Sequence, residues 1–387
     1  LILGTALLLP EVLANTASQV GNALYDARGV SYGVAVSTVA YVALVAWLLE
    51  RGDGISGVLV AGAVSNAILC LIVALRVRRR LRHLPPPSEG APAAMTLGAI
   101  LKYSMPFLLI GLLNLITWRQ SEVLFLGYFR SAGEAGAFDL AYRLPQMILE
   151  FVPGAIWPLV MAGFSEVYTR DPGALQRACG AYYKLLFLLV APLSVGGILT
   201  GDLAVRLLYG AEWEVTGPVC QVFFLIFSVS FLATPLSMVL YILERPGLGL
   251  AIYAVNAAIN VGLDLILIPK YGVWGAVIPV SVVILLAPWP HLYVLRRMGV
   301  QIGLPWGFLG RIYGASAAML LLWPVRGWVG GVPGLLLLVG SGIVVFLVGV
   351  RVFRVLGREE LELFERANLP GWLKLRPLLT GGRGGRS

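Results

Sequence analysis

Charge is scarce in this sequence. Only 13% of its 387 residues are Asp, Glu, Lys or Arg, about half the share of an ordinary soluble domain. Cysteine and histidine are scarcer still. Cys70, Cys179 and Cys220 have no paired spacing, which excludes a disulfide framework, and the isolated His83 and His291 offer no metal-ligand pattern. No cofactor is expected. Long external loops are also missing. The longest, around 201–218, carries Asp202, Glu212 and Glu214 in no catalytic arrangement, which argues against a membrane-embedded glycosyltransferase or polymerase.

What is abundant is apolar surface: 58% of residues are hydrophobic and the mean hydropathy is +0.85. A soluble core cannot hide that much. A net charge of +9 is also the mark of nucleic-acid binding, yet here the basic residues sit beside hydrophobic runs, where they act as topological anchors. A spanning helix needs about 20 apolar residues, and turn and charge signals cut the sequence into about 11 such segments. They cover 1–24, 29–49, 57–77, 100–127, 136–163, 181–200, 218–242, 247–268, 274–295, 306–325 and 332–352. The expected fold class is therefore all-α, a polytopic membrane protein. If the loop at Arg28 faces the cytoplasm, most lysines and arginines fall on that side, including the runs Arg76–Arg82 and Arg351–Arg358. The positive-inside rule then gives a cytoplasmic C-terminus, and the expected location is the cytoplasmic (inner) membrane.

A block of sequence recurs at an offset of 218 positions. Gly29, Gly54, Gly57, Arg78 and Arg79 align with Gly247, Gly272, Gly275, Arg296 and Arg297. Repeated blocks of membrane helices are a common plan for transporters. The stretch Arg78-Arg79-Arg80-Leu81-Arg82-His83-Leu84-Pro85-Pro86-Pro87 runs from a basic anchor into prolines that cannot continue a helix. It reads as a cytoplasmic linker between two lobes. The expected division is a partial N-lobe at 1–82 with three helices, a linker at 83–98, a six-helix C-lobe at 99–298, two added helices at 299–352 and a cytoplasmic tail at 353–387. The repeat implies that three helices of the first lobe, about 120 residues, lie outside this sequence. The tail alternates apolar and charged residues through Glu359–Arg366, the pattern of a short surface helix.

Charges within the spans are the candidates for function, because an ionisable group at mid-membrane costs about 2.5–3.5 kcal/mol on insertion scales. Arg119 and Glu122 are three apart and Asp139 and Arg143 four apart, so each set shares a helix face. They read either as internal ion pairs that fix packing or as the wall of a cationic cavity, since the guanidinium fork suits phosphate oxygens. Glu150 has no obvious local partner, and Asp264 continues a stripe with Asn256 and Asn260. Both are candidates for proton or cation coupling, against hydrogen-bonded packing roles. Glu11, Asn15, Gln19 and Asn22 add a polar stripe in the first span.

Three motifs carry a family resemblance. Asn260-Val261-Gly262-Leu263-Asp264 through Leu267-Ile268-Pro269-Lys270-Tyr271-Gly272-Val273-Trp274-Gly275-Ala276 is similar to the "N-x-x-L-x-x-x-L-I-P-x-Y-G-x-x-G-A" helix end of the polysaccharide-export flippases. Leu207–Trp213 resembles the loop before their tenth helix. Gly136-Ala137-Phe138-Asp139-Leu140-Ala141-Tyr142-Arg143-Leu144 resembles their "G-x-Y-x-x-A-x-R-L" helix start, with Phe138 at the usual Tyr. These flippases form a branch of the multidrug/oligosaccharidyl-lipid/polysaccharide superfamily that includes O-antigen and lipid II flippases. The resemblance implies a two-lobed bundle of repeated six-helix halves working by alternating access. It implies a cargo of undecaprenyl-diphosphate-linked sugar, handed on by glycan-assembly machinery, and carries a cavity role onto Arg143. The cavity roles of Arg119, Glu122 and Asp139 rest on the charge argument instead. A cation-coupled multidrug antiporter of the same superfamily is the alternative reading.

Overall fold

The computed structural model describes residues 2–23, 26–82, 121–210, 213, 215–243, 245–328 and 330–356, with isolated positions between 96 and 113. Every regular element among the described residues is helical, as a bilayer demands of a chain that must satisfy its backbone within each segment. Among the described residues, eight helical stretches are long and apolar enough to cross a membrane. Two further helices, of 22 and 39 residues, have the length to do so. The span expected at 100–127 lies mostly outside the described residues, as do Arg119, the linker and the tail beyond 356.

The chain divides into two compact units, Leu1–Ala94 and Met95–Ser387. The first holds α1 (Ile2–Ala23), α2 (Ala27–Glu50) and α3 (Gly54–Arg82), with α3 packed against both others. Asp26 caps α2 by accepting from the Gly29 amide at 3.2 Å. Its carboxylate also lies 3.8 Å from Arg76 and 3.6 Å from Arg80, so one acid ties the start of α2 to the end of α3. Midway along the pair, the buried Ser65 hydroxyl donates to the Ser37 carbonyl at 2.8 Å. Val39, Val42, Ile55 and Leu71 point outward, which costs nothing where the solvent is lipid.

The second unit runs through α4 (Ser121–Phe129), α5 (Ala132–Arg170), α6 (Leu175–Tyr209), α7 (Thr216–Ser230), α8 (Thr234–Ile242), α9 (Pro246–Tyr271), α10 (Val273–Leu286), α11 (Pro288–Arg297) and α12 (Trp306–Ala317). A 3-10 segment (Ala318–Trp328) and α13 (Gly331–Val352) follow. The core sits where α7 packs against α5 and α6. There Phe138, Tyr142, Phe223 and Phe227 meet mostly edge to face, with Tyr142 and Phe227 centroids 4.8 Å apart. Such pairs add about 0.5–1.5 kcal/mol each beyond area burial.

Two apolar runs that the sequence reads as single spans contain a break. At residues 231–233 the helix loosens ahead of Pro235, and the Tyr183 hydroxyl donates to the Leu232 carbonyl at 2.6 Å. At Ala287, ahead of Pro288, the carbonyl lies 2.7 Å from His291 Nδ1. Each proline removes a ladder donor, and a side chain takes up a nearby carbonyl.

The repeat reappears as geometry. Gly54 and Gly272 open α3 and α10 with φ of +51° and +56°, backbone that favours glycine. Three residues on, a Cβ at Gly57 would meet Leu48 Cβ and one at Gly275 would meet the Leu267 carbonyl. The two turns solve the same problem: a helix must reverse tightly and then pack closely on its predecessor.

Candidate functional site

Among the described residues, a dense buried polar group lies between α4 and α9. Asn256, Asn260 and Asp264, spaced at four, form one inward stripe of α9, while Val255, Leu265 and Ile266 on other faces are exposed. α4 presents Ser121 and Glu122 to that stripe. Asn260, Asp264 and Glu122 are at most 1% exposed. The Asn260 amide donates to Glu122 Oε1 at 2.7 Å, and sits 3.3 Å from both Ser121 Oγ and Asp264 Oδ2. Two N–H hydrogens therefore serve three acceptors.

Asn260 Oδ1 and Asp264 Oδ1 have no hydrogen-bond partner among the described residues. No lysine or arginine among the described residues pairs with either carboxylate. Two acids buried side by side cost several kcal/mol if both carry charge uncompensated, so the cluster calls for one positive partner. The atoms it offers are all oxygens, from two carboxylates, an amide and a hydroxyl. That set suits a hard cation or a proton rather than a soft metal.

A second group lies on α5. Phe138, Ala141, Tyr142, Pro145 and Leu149 are buried, and the stripe beside them carries Asp139, Arg143, Gln146 and Glu150. Arg143 Nε donates to Asp139 Oδ1 at 2.8 Å, and Glu150 accepts from Gln146 at 3.2 Å. The Arg143 side chain is 61% exposed within this unit. Only its Nε is engaged among the described residues, so the outer nitrogens of the fork remain available to an anion.

The residues singled out from sequence thus regroup. Asp139 and Arg143 form the ion pair that their spacing suggests, with Glu150 two turns along the same stripe. Glu122, placed with them by charge alone, joins Asp264 on another helix pair. Arg119 is outside the described residues. Ser121 and the bridging role of Asn260 were not foreseen, although the spacing of 256, 260 and 264 was the available signal. Also unforeseen is Arg326, which pairs with Asp202 and stacks over Trp323 at 4.4 Å, fastening the end of the 3-10 segment to α6.

Comparisons with known proteins bear on these groups. A family model described as "Polysaccharide biosynthesis protein" matches residues 22–218, a range that includes Glu122 and the α5 stripe but ends before α9. Among solved structures, the chain is similar to one titled "Lipid II flippase MurJ, inward closed conformation", with a TM-score of 0.66. Identity is 13%, over 88% of this chain and 71% of that one, so the likeness is one of fold. No curated protein matches the chain.

Proposed function

The chain belongs to the polysaccharide biosynthesis protein family, and from that premise we propose that it flips a lipid-linked oligosaccharide or polysaccharide precursor across the cytoplasmic membrane. The observation that carries the reading is the α5 stripe. An arginine on a long helix of a multi-pass membrane protein, exposed within its own unit and held by one acid through one nitrogen, belongs in a polar cavity rather than against lipid. Its free fork suits a diphosphate, the anionic group of an undecaprenyl-linked glycan. Arg143 binds the cargo, Asp139 orients the guanidinium, and Glu150 lies further along the same stripe. No covalent step is required, so the protein acts as a transporter and not as an enzyme.

Alternating access supplies the motion, turning the Arg143 stripe to one side of the membrane and then to the other. The Glu122–Asn260–Asp264 cluster couples that motion to a cation or proton. Its hydrogen bonds join α4 to α9 across 138 residues of sequence, so filling or emptying it changes how two helices of one unit are held. The C-terminus is cytoplasmic, on the side where glycan-assembly enzymes deliver the cargo.

The test is flipping of a fluorescent undecaprenyl-diphosphate sugar in proteoliposomes. The parent moves it and Arg143→Ala does not. A parent that instead exports organic cations and leaves the lipid-linked sugar in place sinks the flippase reading in favour of a multidrug antiporter.

A further inference from the structure

The α9 stripe that holds a buried acid continues beyond it in both directions, and the two directions differ in chemistry. Toward the carboxyl ends of the helices, the next residues in line are Ile268 on α9 and Leu126 on α4, each four positions beyond Asp264 and Glu122 and both fully buried. From the Gly272 turn, α10 folds back along α9 and adds Ala276 and Val277, buried as well. Toward the amino end of α9 the stripe carries Asn256 and then Tyr253, which shares a side-chain hydrogen bond with Tyr241 of α8.

Length sharpens the contrast. Asp264 is eight helical steps from Gly272 and 18 from Pro246, about 12 Å and 27 Å at 1.5 Å per residue. The shorter way out of the cluster is lined by apolar side chains, and the longer way carries the polar ones. Asn256 is only 6% exposed, and its amide has no hydrogen-bond partner among the described residues. Burying an amide unpaired loses its hydration with nothing returned, so leucine or alanine would serve better if the position only filled space. An unpaired amide on this stripe offers a carbonyl oxygen and two N–H donors to water or to an ion in passage.

An ion moving between packed helices must meet oxygen atoms at short intervals, because a charge left uncompensated in a low dielectric is expensive. Side-chain oxygens at 253, 256, 260 and 264 recur at every turn of α9. Leu126, Ile268, Ala276 and Val277 supply none. We infer that Asn256 is the entry station of the Glu122–Asn260–Asp264 cluster: water and the coupling ion reach the acids from the amino-terminal end of α9, past Tyr253 and Asn256, and not through the Gly272 turn. Asn256 is thus a positioning residue for ion exchange. The inference rests on the coupling role given to the cluster above, and its test separates the two.

The experiment is thiol accessibility in the full chain, with Cys70, Cys179 and Cys220 replaced by alanine and one cysteine introduced at a time as Asn256→Cys, Leu126→Cys or Ile268→Cys. Proteoliposomes are exposed to 2-aminoethyl methanethiosulfonate, a small water-soluble cation, and mass spectrometry follows the modified fraction with time. Asn256→Cys is modified at least tenfold faster than the other two. Equal rates, faster modification at 126 or 268, or no modification at any of the three overturns the proposal. A second pair needs no cysteine and decides the matter if a buried cysteine prevents folding. Asn256→Leu unfolds no lower than the parent but slows ion-driven flipping at least fivefold, and Asn256→Gln, which keeps the amide, recovers most of the rate. A lowered melting temperature in Asn256→Leu with unchanged flipping assigns the amide to packing and ends the proposal. A parent whose flipping ignores both sodium and pH gradients sinks the coupling role instead, while the order of thiol accessibility stands.

Discussion

The Asn260 amide reaches Glu122 at 2.7 Å while lying 3.3 Å from Asp264 on its own helix, so one neutral side chain holds two buried acids. Neither acid has a basic partner among the described residues, and the arrangement depends on that amide.

Replacing it is therefore expected to be costly. Asn260→Ala leaves Glu122 and Asp264 without their shared donor, and a lost hydrogen bond to such groups is worth about 1.5–3 kcal/mol. Thermal unfolding in detergent should report that loss for the single variant. Combining it with Glu122→Gln should cost less than the sum, because residues in one network are not additive. Additive losses would mean that the cluster is not a unit.

Cation dependence is the second expectation. If the cluster holds a monovalent cation, sodium raises the melting temperature of the parent relative to choline at equal ionic strength, and Asp264→Asn abolishes the difference. A proton-only site gives no sodium effect in either protein and a pH-gradient dependence of transport that Asp264→Asn removes.

At Arg143 function and stability should separate. The pair with Asp139 is largely exposed within its unit, and such i,i+4 pairs contribute about 0.3–0.5 kcal/mol. Arg143→Ala should therefore unfold like the parent while its flipping rate falls by at least tenfold. A matching fall in melting temperature would reassign the residue to packing.

The two repeat turns provide a fourth comparison. Alanine at Gly54 meets open space and pays only for its positive φ, whereas alanine at Gly272 also meets Glu134 Oε2. The first should cost about 1–2 kcal/mol and the second measurably more, read from paired unfolding curves. Equal costs would show that the Arg130–Glu134 ion pair, 3.2 Å long, shifts freely away from the turn.

Breaking the Arg326–Asp202 pair is the fifth. Both side chains are mostly buried, at 18% and 14% exposure, and removing Arg326 takes from Asp202 its charged partner, leaving the Leu203 amide and the Gln221 side chain as its donors. Arg326→Gln alone should destabilise by about 3 kcal/mol, and adding Asp202→Asn should restore part of it. No recovery in the double variant would place the loss in the stacking on Trp323 instead.

Much of this protein is fixed locally. Apolar runs of bilayer length and the glycines at 54, 57, 272 and 275 determine helices and turns, because each depends on residues within a few positions of one another. The i,i+4 pairing of Asp139 with Arg143 belongs to the same class. What tertiary structure alone decided is which polar groups meet across distant segments. Glu122 finds Asn260 only because α4 packs on α9, and Arg326 finds Asp202 only because the 3-10 segment packs on α6. Periodicity states which face of a helix is polar. The partner of that face is set by packing between helices, and in a chain this apolar nearly every face offers the same hydrophobic surface, so the sequence carries no local mark of which faces touch.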